Sequence, residues 1–310
     1  MRLINVNTYA LSEFLESDVP PYAILSHTWG QDEVSYQDMQ KLKLARKKKG
    51  FSKIAWACLE ASLAAIQWAW VDTCCIDKTS SAELQEAINS MYRWYAEAQV
   101  CYAYLGDISR MDWMVNRFRA LHASKWFTRG WTLQELIAPQ DVRFYGEDWF
   151  MLFEGSHEVA LLSSITKVDV AVLRHEIRLS SISIAKRMSW AAYRRTSRTE
   201  DMAYCLLGLF EVSIPMLYGE GKRSFRRLQE EIIRTSNDHS IFAWGLNLDR
   251  STSDLLASSP ADFRGGHDIV SWGRPGQHEM TNRGLRINLP VLQQETPAVP
   301  VPWSAEYEEQ

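Results

Sequence analysis

The apolar positions of the chain follow two rhythms. In the first half, short unbroken apolar runs alternate with longer stretches in which apolar residues return every three or four positions. The runs at residues 22–25, 68–76, 100–105 and 141–145 predict strands buried on both faces. Residues 51–67, with Ile54, Cys58, Ala61 and Ala65 on one stripe, predict a helix. A second helix begins at Ser80, where Glu83 completes a capping box, and it buries Leu84, Ile88, Met91, Tyr95 and Ala98. Residues 110–122 predict a third helix. Residues 131–138 predict a short fourth, stopped by Pro139, which lacks an amide proton and clashes with the preceding turn. Residues 1–21 read as a lead-in strand and turn. Strands alternating with helices imply an α/β fold: a parallel sheet flanked by helices, with right-handed crossovers.

The rhythm changes near residue 150. Short helices are predicted at residues 158–162, 168–175 and 183–192, longer ones at 199–210 and 224–235. From Ile241 onward, runs such as IFAW and GLRINLP stand among Gly, Ser and Pro, as in a small β-rich or irregular part. The organisation expected is therefore an α/β domain over residues 1–150 with its core at 22–146, a helical extension over 151–240, the small β-rich segment over 241–292, and a disordered Pro- and Glu-rich tail over 293–310.

Composition narrows the function classes. The chain has 310 residues, a net charge of −4 and a pI near 6.0, so nucleic acid and anionic membranes are not expected as main partners. No run of eighteen apolar residues predicts a transmembrane helix, and the N-terminus has no signal-peptide pattern. The five cysteines show no metal-like spacing and are read as reduced, which implies a cytoplasmic setting. Adjacent Cys74 and Cys75 are expected on opposite faces of a strand. Thirteen tryptophans are unusual, and most must be buried with their indole N–H satisfied.

The candidate chemistry centres on SKWFTRGWTLQELIAP, residues 124–139, which gathers Trp126, Phe127, Trp131, Leu133, Leu136 and Ile137 around one acid, Glu135. Such an acid is either held by a partner, here Arg129, or kept for chemistry. The strand at residues 22–25 runs into Ser26, His27, Thr28, Trp29 and Gly30, with Asp32 following; polar groups at that end of a buried strand sit where α/β sheets bind ligands. Asp72 and Asp77 lie at or near the end of the next strand. Each also has a structural reading: His27 as a satisfied core histidine, Asp72 as a hydrogen-bonded acid. Six basic residues within 41–49 read as a solvated face or a phosphate-facing patch. LYGEGKRS lacks the first glycine of a phosphate loop and reads as a turn. A Cys74 or Cys75 nucleophile paired with His27 lacks an orienting third group. Motifs for zinc-protease, dithiol-redox and α/β-hydrolase chemistry are absent from the sequence, and no metal site is expected.

Three blocks, YAILSHTWG, WAWVDTCCIDKTSSAELQEAINSMYRWYAEAQVCYAYLGD and WFTRGWTLQELIAP, resemble in order the HET (heterokaryon incompatibility) domain of filamentous fungi. The stretch from RMSWAAYRRTSRTED to SFRRLQEEI resembles the segment that commonly follows it. That resemblance implies a soluble effector of fungal non-self recognition that triggers programmed cell death, by self-association or with NLR-type partner proteins. Many such proteins carry a NACHT domain and repeats further on; their absence here sets the expectation of a stand-alone effector or a fragment.

A remoter resemblance is to TIR domains, with their flavodoxin-like sheet. SKWFTRGWTLQEL is similar to the TIR helix whose glutamate is required for cleaving NAD, although TRG is inserted before Trp131 and Thr132 replaces a cysteine. The resemblance places the catalytic role on Glu135, with NAD as substrate rather than cofactor. Around it, Ser26, His27, Trp29, Gly30, Asp32, Asp72, Arg129 and Trp131 are the expected substrate-binding residues; Trp29 or Trp131 would stack a base, and Arg129 or the basic segment would hold a pyrophosphate. The alternative is a non-catalytic, self-associating module in which Glu135 is a structural acid paired with Arg129.

Overall fold

The computed structural model describes residues 1–246, 254–270, 276, 278–281 and 284–287. Its first part is a seven-stranded mixed sheet in the order β2-β1-β4-β3-β5-β6-β7. The strands are β1 (Arg2–Asn5), β2 (Leu11–Glu13), β3 (Tyr22–His27), β4 (Trp68–Val71), β5 (Val100–Tyr104), β6 (Val142–Tyr145) and β7 (Met151–Glu154). Every residue of β3 is buried, as its unbroken apolar run requires of a central strand. β4, β3, β5 and β6 are mutually parallel.

A wholly parallel sheet was expected, and the edges correct this. β1 pairs antiparallel with β4 and with β2, and β7 pairs antiparallel with β6. β7 arises because the chain reverses after Gly146 through Asp148 and Trp149, both left-handed (φ 59° and 57°). Two non-glycine residues in that conformation carry little sequence signal, so the β7 segment read as part of a helical region.

The helix α1 (Phe51–Leu63) stops before residue 67 because Ala65 turns left-handed (φ 58°) and Ile66 N–H reaches back to Ala61 O at 2.8 Å. The strand predicted over residues 68–76 also ends early, at Val71. Beyond it the chain coils, with Cys75 N–H bonded to Val71 O at 2.9 Å. Cys74 and Cys75 are both buried in that turn rather than on opposite strand faces, and all five cysteines are free. The helix α2 (Ser81–Glu97) starts at Ser80, whose hydroxyl accepts from Glu83 N–H; the Glu83 carboxylate goes to Asp77 N–H and Arg2 instead of closing the box. The predicted 110–122 helix breaks at Asn116 into Arg110–Val115 and Arg117–Ala123.

The short helix α3 (Thr132–Ile137) joins two cores. Leu136 faces the sheet core with Trp126, Phe127 and Phe144. Leu133 and Ile137 face a second core with Ile88 of α2. That core is filled by α4 (Ile184–Ser189), α5 (Asp201–Tyr204), α6 (Leu207–Phe210) and α7 (Arg223–Thr235). The predicted 199–210 helix is thus two short pieces. At Gly208 a Cβ would lie 2.1 Å from Tyr92 Cβ, so α6 sits on α2 at backbone distance. Further on, two short 3-10 turns precede a hairpin of β8 (His278–Thr281) and β9 (Gly284–Ile287). Residues 293–310, expected to be disordered, lie outside the described residues, as does the end of GLRINLP.

Candidate functional site

β3 is the first of the parallel strands, with β4 on one side and β5 on the other, so the chain reverses its winding direction at β3. Such a switch point leaves a crevice at the C-terminal strand ends. A cavity of about 330 Å³ lies there. His27 and Trp29 reach it from the end of β3, Asp72 from the end of β4, and Arg129, Trp131 and Glu135 from the α3 region.

Glu135 sits between cavity and core and is 8% exposed. Its Oε2 accepts a hydrogen bond from the Ser26 hydroxyl, which in turn accepts from Trp126 Nε1–H at 2.8 Å. Ser26 thereby ties strand, helix and buried indole together. The Tyr95 hydroxyl, bonded to Leu25 O at 3.2 Å, lies beside the same carboxyl. Burial pushes the Glu135 carboxyl up to about 8; Asp72 adds to the rise, while Ser26, Arg129 and Tyr95 oppose it. Arg129 acts on Glu135 through space, and among the described residues no direct ion pair joins them. The expected Arg129 clamp is therefore not formed.

His27 is buried between two acids, with Nε2 3.6 Å from Glu33 and Nδ1 3.9 Å from Asp72, and neither ring nitrogen has a hydrogen-bond partner among the described residues. Asp72 accepts the Trp29 indole N–H at 2.8 Å, and the Lys78 ammonium lies 3.6 Å from the Trp29 ring centroid, covering one face. Burial works against ionisation of Glu33, but His27, the Gly30 N–H and the Lys53 ammonium hold its carboxyl down at about 2.

Gly30 donates to Glu33 at 2.6 Å and lines a neighbouring cavity instead. Asp32 lines neither: its carboxylate accepts Lys49 N–H at 2.9 Å and fixes a loop. The basic segment 41–49 is likewise absent from both linings, and its Lys48 pairs with Asp38 at 2.7 Å. LYGEGKRS is a turn, as read, in which Gly219 and Gly221 donate N–H bonds to Glu200 at 2.9 and 3.0 Å.

The far wall is formed by residues that no motif in the sequence marks: Ser197, Arg198, Asp201 and Tyr218 of the helical extension. Tyr218 donates to Asp201 at 2.9 Å, and the Arg198 guanidinium stacks 4.4 Å above the Tyr218 ring. The seam is stitched by main chain, with Arg195 N–H on Thr128 O at 2.7 Å and Gly130 N–H on Arg195 O at 2.8 Å. Buried Arg194 donates to Arg129 O at 2.8 Å and to Thr132 Oγ1 at 2.9 Å. A run of arginines and polar residues between helices gave no periodic signal; only the density of charge in YRRTSRTED hinted at a role. Among the described residues no group of three or more His, Cys, Asp and Glu side chains is placed to hold a metal, and no helix is long and apolar enough to cross a membrane. The arrangement offers a mostly neutral buried carboxyl, aromatic faces and, among the described residues, an Arg129 guanidinium outside any ion pair in one cleft.

Residues 22–117 match the family model described as Heterokaryon incompatibility protein (HET). Residues 223–258 match a domain of unknown function, DUF8212. The chain is similar to the vegetative incompatibility protein HET-E-1 of Podospora anserina, at 46% identity over 221 residues, covering 69% of this chain and 16% of that protein. The chain thus spans about one sixth of the length of this relative. No solved structure matches. A family match that begins at β3 and takes in β4, α2 and β5, together with this identity, makes the chain a member of the fungal HET-domain proteins.

Proposed function

We propose that the chain acts in fungal heterokaryon incompatibility as a cell-death effector, and that it does so by cleaving the N-glycosidic bond of NAD or a related nucleotide. The observation that carries this reading is the Glu135 carboxyl on the wall of a cavity at the sheet's switch point, beside Trp131 and Arg129. The order β4-β3-β5-β6 is second, first, third, fourth in sequence among the parallel strands; it matches the start of the flavodoxin-like order and so supports the TIR-like reading.

The chemistry follows from charge. Glu135 is mostly neutral near pH 7. The nicotinamide ring of NAD is a cation, and its arrival beside the carboxyl favours the ionised form. As the C1′–N bond breaks, its electron pair leaves with neutral nicotinamide and positive charge moves onto the ribose, where a fixed carboxylate stabilises it. Water then bonds to C1′ and gives its proton to Glu135, whose raised pKa suits a proton acceptor near neutrality. Ser26 holds the carboxylate in place, and Trp131 offers a stacking face.

The test is nicotinamide release from NAD by purified protein, with Glu135→Ala as control. Release by the wild type alone supports the proposal. No turnover at high protein concentration, with oligomers confirmed, contradicts it. A second reading, a self-associating module without chemistry, is favoured by the Trp126–Ser26–Glu135 chain, which is also a structural tie. Killing that persists in cells carrying folded Glu135→Gln protein would select that reading.

A further inference from the structure

A second cavity, of about 560 Å³, adjoins the first and shares Trp29, Arg129 and Ser197 with it. Both volumes fall in the range of small-molecule sites, about 300–1,000 Å³. The chemistry of the second differs. Its lining includes Lys53, Lys125, Arg129 and Arg195, with Asp107 as the sole carboxylate among the lining residues. Lys53 is taken up by Glu33. Asp107 is taken up by the Ser124–Lys125 segment, accepting the Ser124 hydroxyl at 2.7 Å and Lys125 N–H at 2.8 Å. Lys125, Arg129 and Arg195 therefore have no carboxylate in ion-pair contact among the described residues.

Three such cations around one concavity repel one another, and an anion between them removes that cost. The cluster is local, because the chain as a whole carries a charge of −4. It is also held in place: the Thr128–Gly130 and Arg195 backbones are bonded to each other, and Arg194 grips the Arg129 carbonyl. Arg129 belongs to both cavities, at their junction.

We propose that the two cavities form one bipartite site for a dinucleotide: the leaving base and its ribose occupy the Glu135 cavity, and the diphosphate lies on Arg129, Arg195 and Lys125. This names the substrate class of the reading above and rests on it for the first cavity, while the diphosphate site is tested by binding alone. A nucleoside would leave Lys125, Arg129 and Arg195 without an anion. The helical extension supplies Arg195, so the site is completed by residues beyond the stretch that matches the HET family model.

The experiment is calorimetric titration of the full chain with ADP-ribose, adenosine and nicotinamide, in wild type and in the double variant Lys125→Ala, Arg195→Ala. Both side chains are exposed, so the substitutions spare the core. ADP-ribose is expected to bind wild type, to lose about tenfold or more in affinity in the double variant, and to weaken with added salt, while nicotinamide binding is unchanged. Arg195→Lys in place of Arg195→Ala restores part of the loss. Unchanged ADP-ribose affinity in the double variant, or no ADP-ribose binding by wild type, overturns the proposal. Binding that behaves as expected in a protein without turnover sinks the catalytic reading and leaves this one standing. Turnover with an unaltered KM for NAD in the double variant does the reverse.

Discussion

At the scale of single residues, Glu135 sets the terms. Its carboxyl carries a proton up to about pH 8 in the folded chain, whereas an unfolded glutamate releases it near the ordinary value of 4.5. The native state therefore binds more protons across that window, and stability falls as pH rises from about 4.5 to 8. Glu135→Gln removes this dependence. We expect the variant to gain on wild type as pH rises, reaching on the order of 3–5 kcal/mol at pH 8, and the gap to close toward pH 5; denaturant melts at several pH values check this. Ser26→Ala should act in the other direction. It leaves the Trp126 N–H buried without its acceptor, costing about 1–3 kcal/mol, and it removes a bond that lowers the Glu135 pKa. The pH dependence of nicotinamide release should then shift to higher pH. Glu135 stood out in the sequence as an acid alone among indoles, and the fold buries it on the cavity wall. The fate of Arg129 was not, since adjacency in sequence says nothing of whether a guanidinium turns toward the acid or toward a second cavity.

At the scale of elements, the parallel strands and α2 were legible from unbroken apolar runs and a three-four stripe, which burial on one or both faces imposes. The termini of β4 and α1 were not, because Val71 O and Ala61 O are captured by residues just beyond, and nothing in composition announces such captures. The β7 edge strand was hidden for a related reason, its turn resting on two left-handed residues that are not glycine. The seat of α6 on α2 supplies a sharp test. A Cβ at Gly208 would meet Tyr92 Cβ at 2.1 Å, and neither backbone has a flexible side-chain end to yield. Gly208→Ala should destabilise the protein by about 3 kcal/mol, read as a lowered midpoint in thermal or denaturant unfolding.

At the scale of the whole molecule, sheet and helical extension share work. α3 contributes to both cores, and the cleft takes one wall from each part. A fragment ending at residue 158 would expose Ile88, Leu133 and Ile137, which the second core now covers. Such a fragment should lose solubility or tertiary structure, and should lack turnover even where it folds; size-exclusion chromatography and near-UV circular dichroism decide the first point. The sequence did not show that residues 197–218 close the cleft, because polar residues such as Arg198, and Asp201 at the start of α5, acquire their role only when the chain is folded.

Glu135 as the reacting acid of a nucleotide-cleaving site is put to the proof by nicotinamide release followed from pH 6 to 9. Wild-type kcat/KM is expected to rise with pH, to pass its midpoint near pH 8 as the free-enzyme carboxyl ionises and to level toward pH 9, and folded Glu135→Gln is expected to fall by about a hundredfold or more at every pH. Equal release by Glu135→Gln and wild type, or a wild-type profile flat through pH 8, would contradict it.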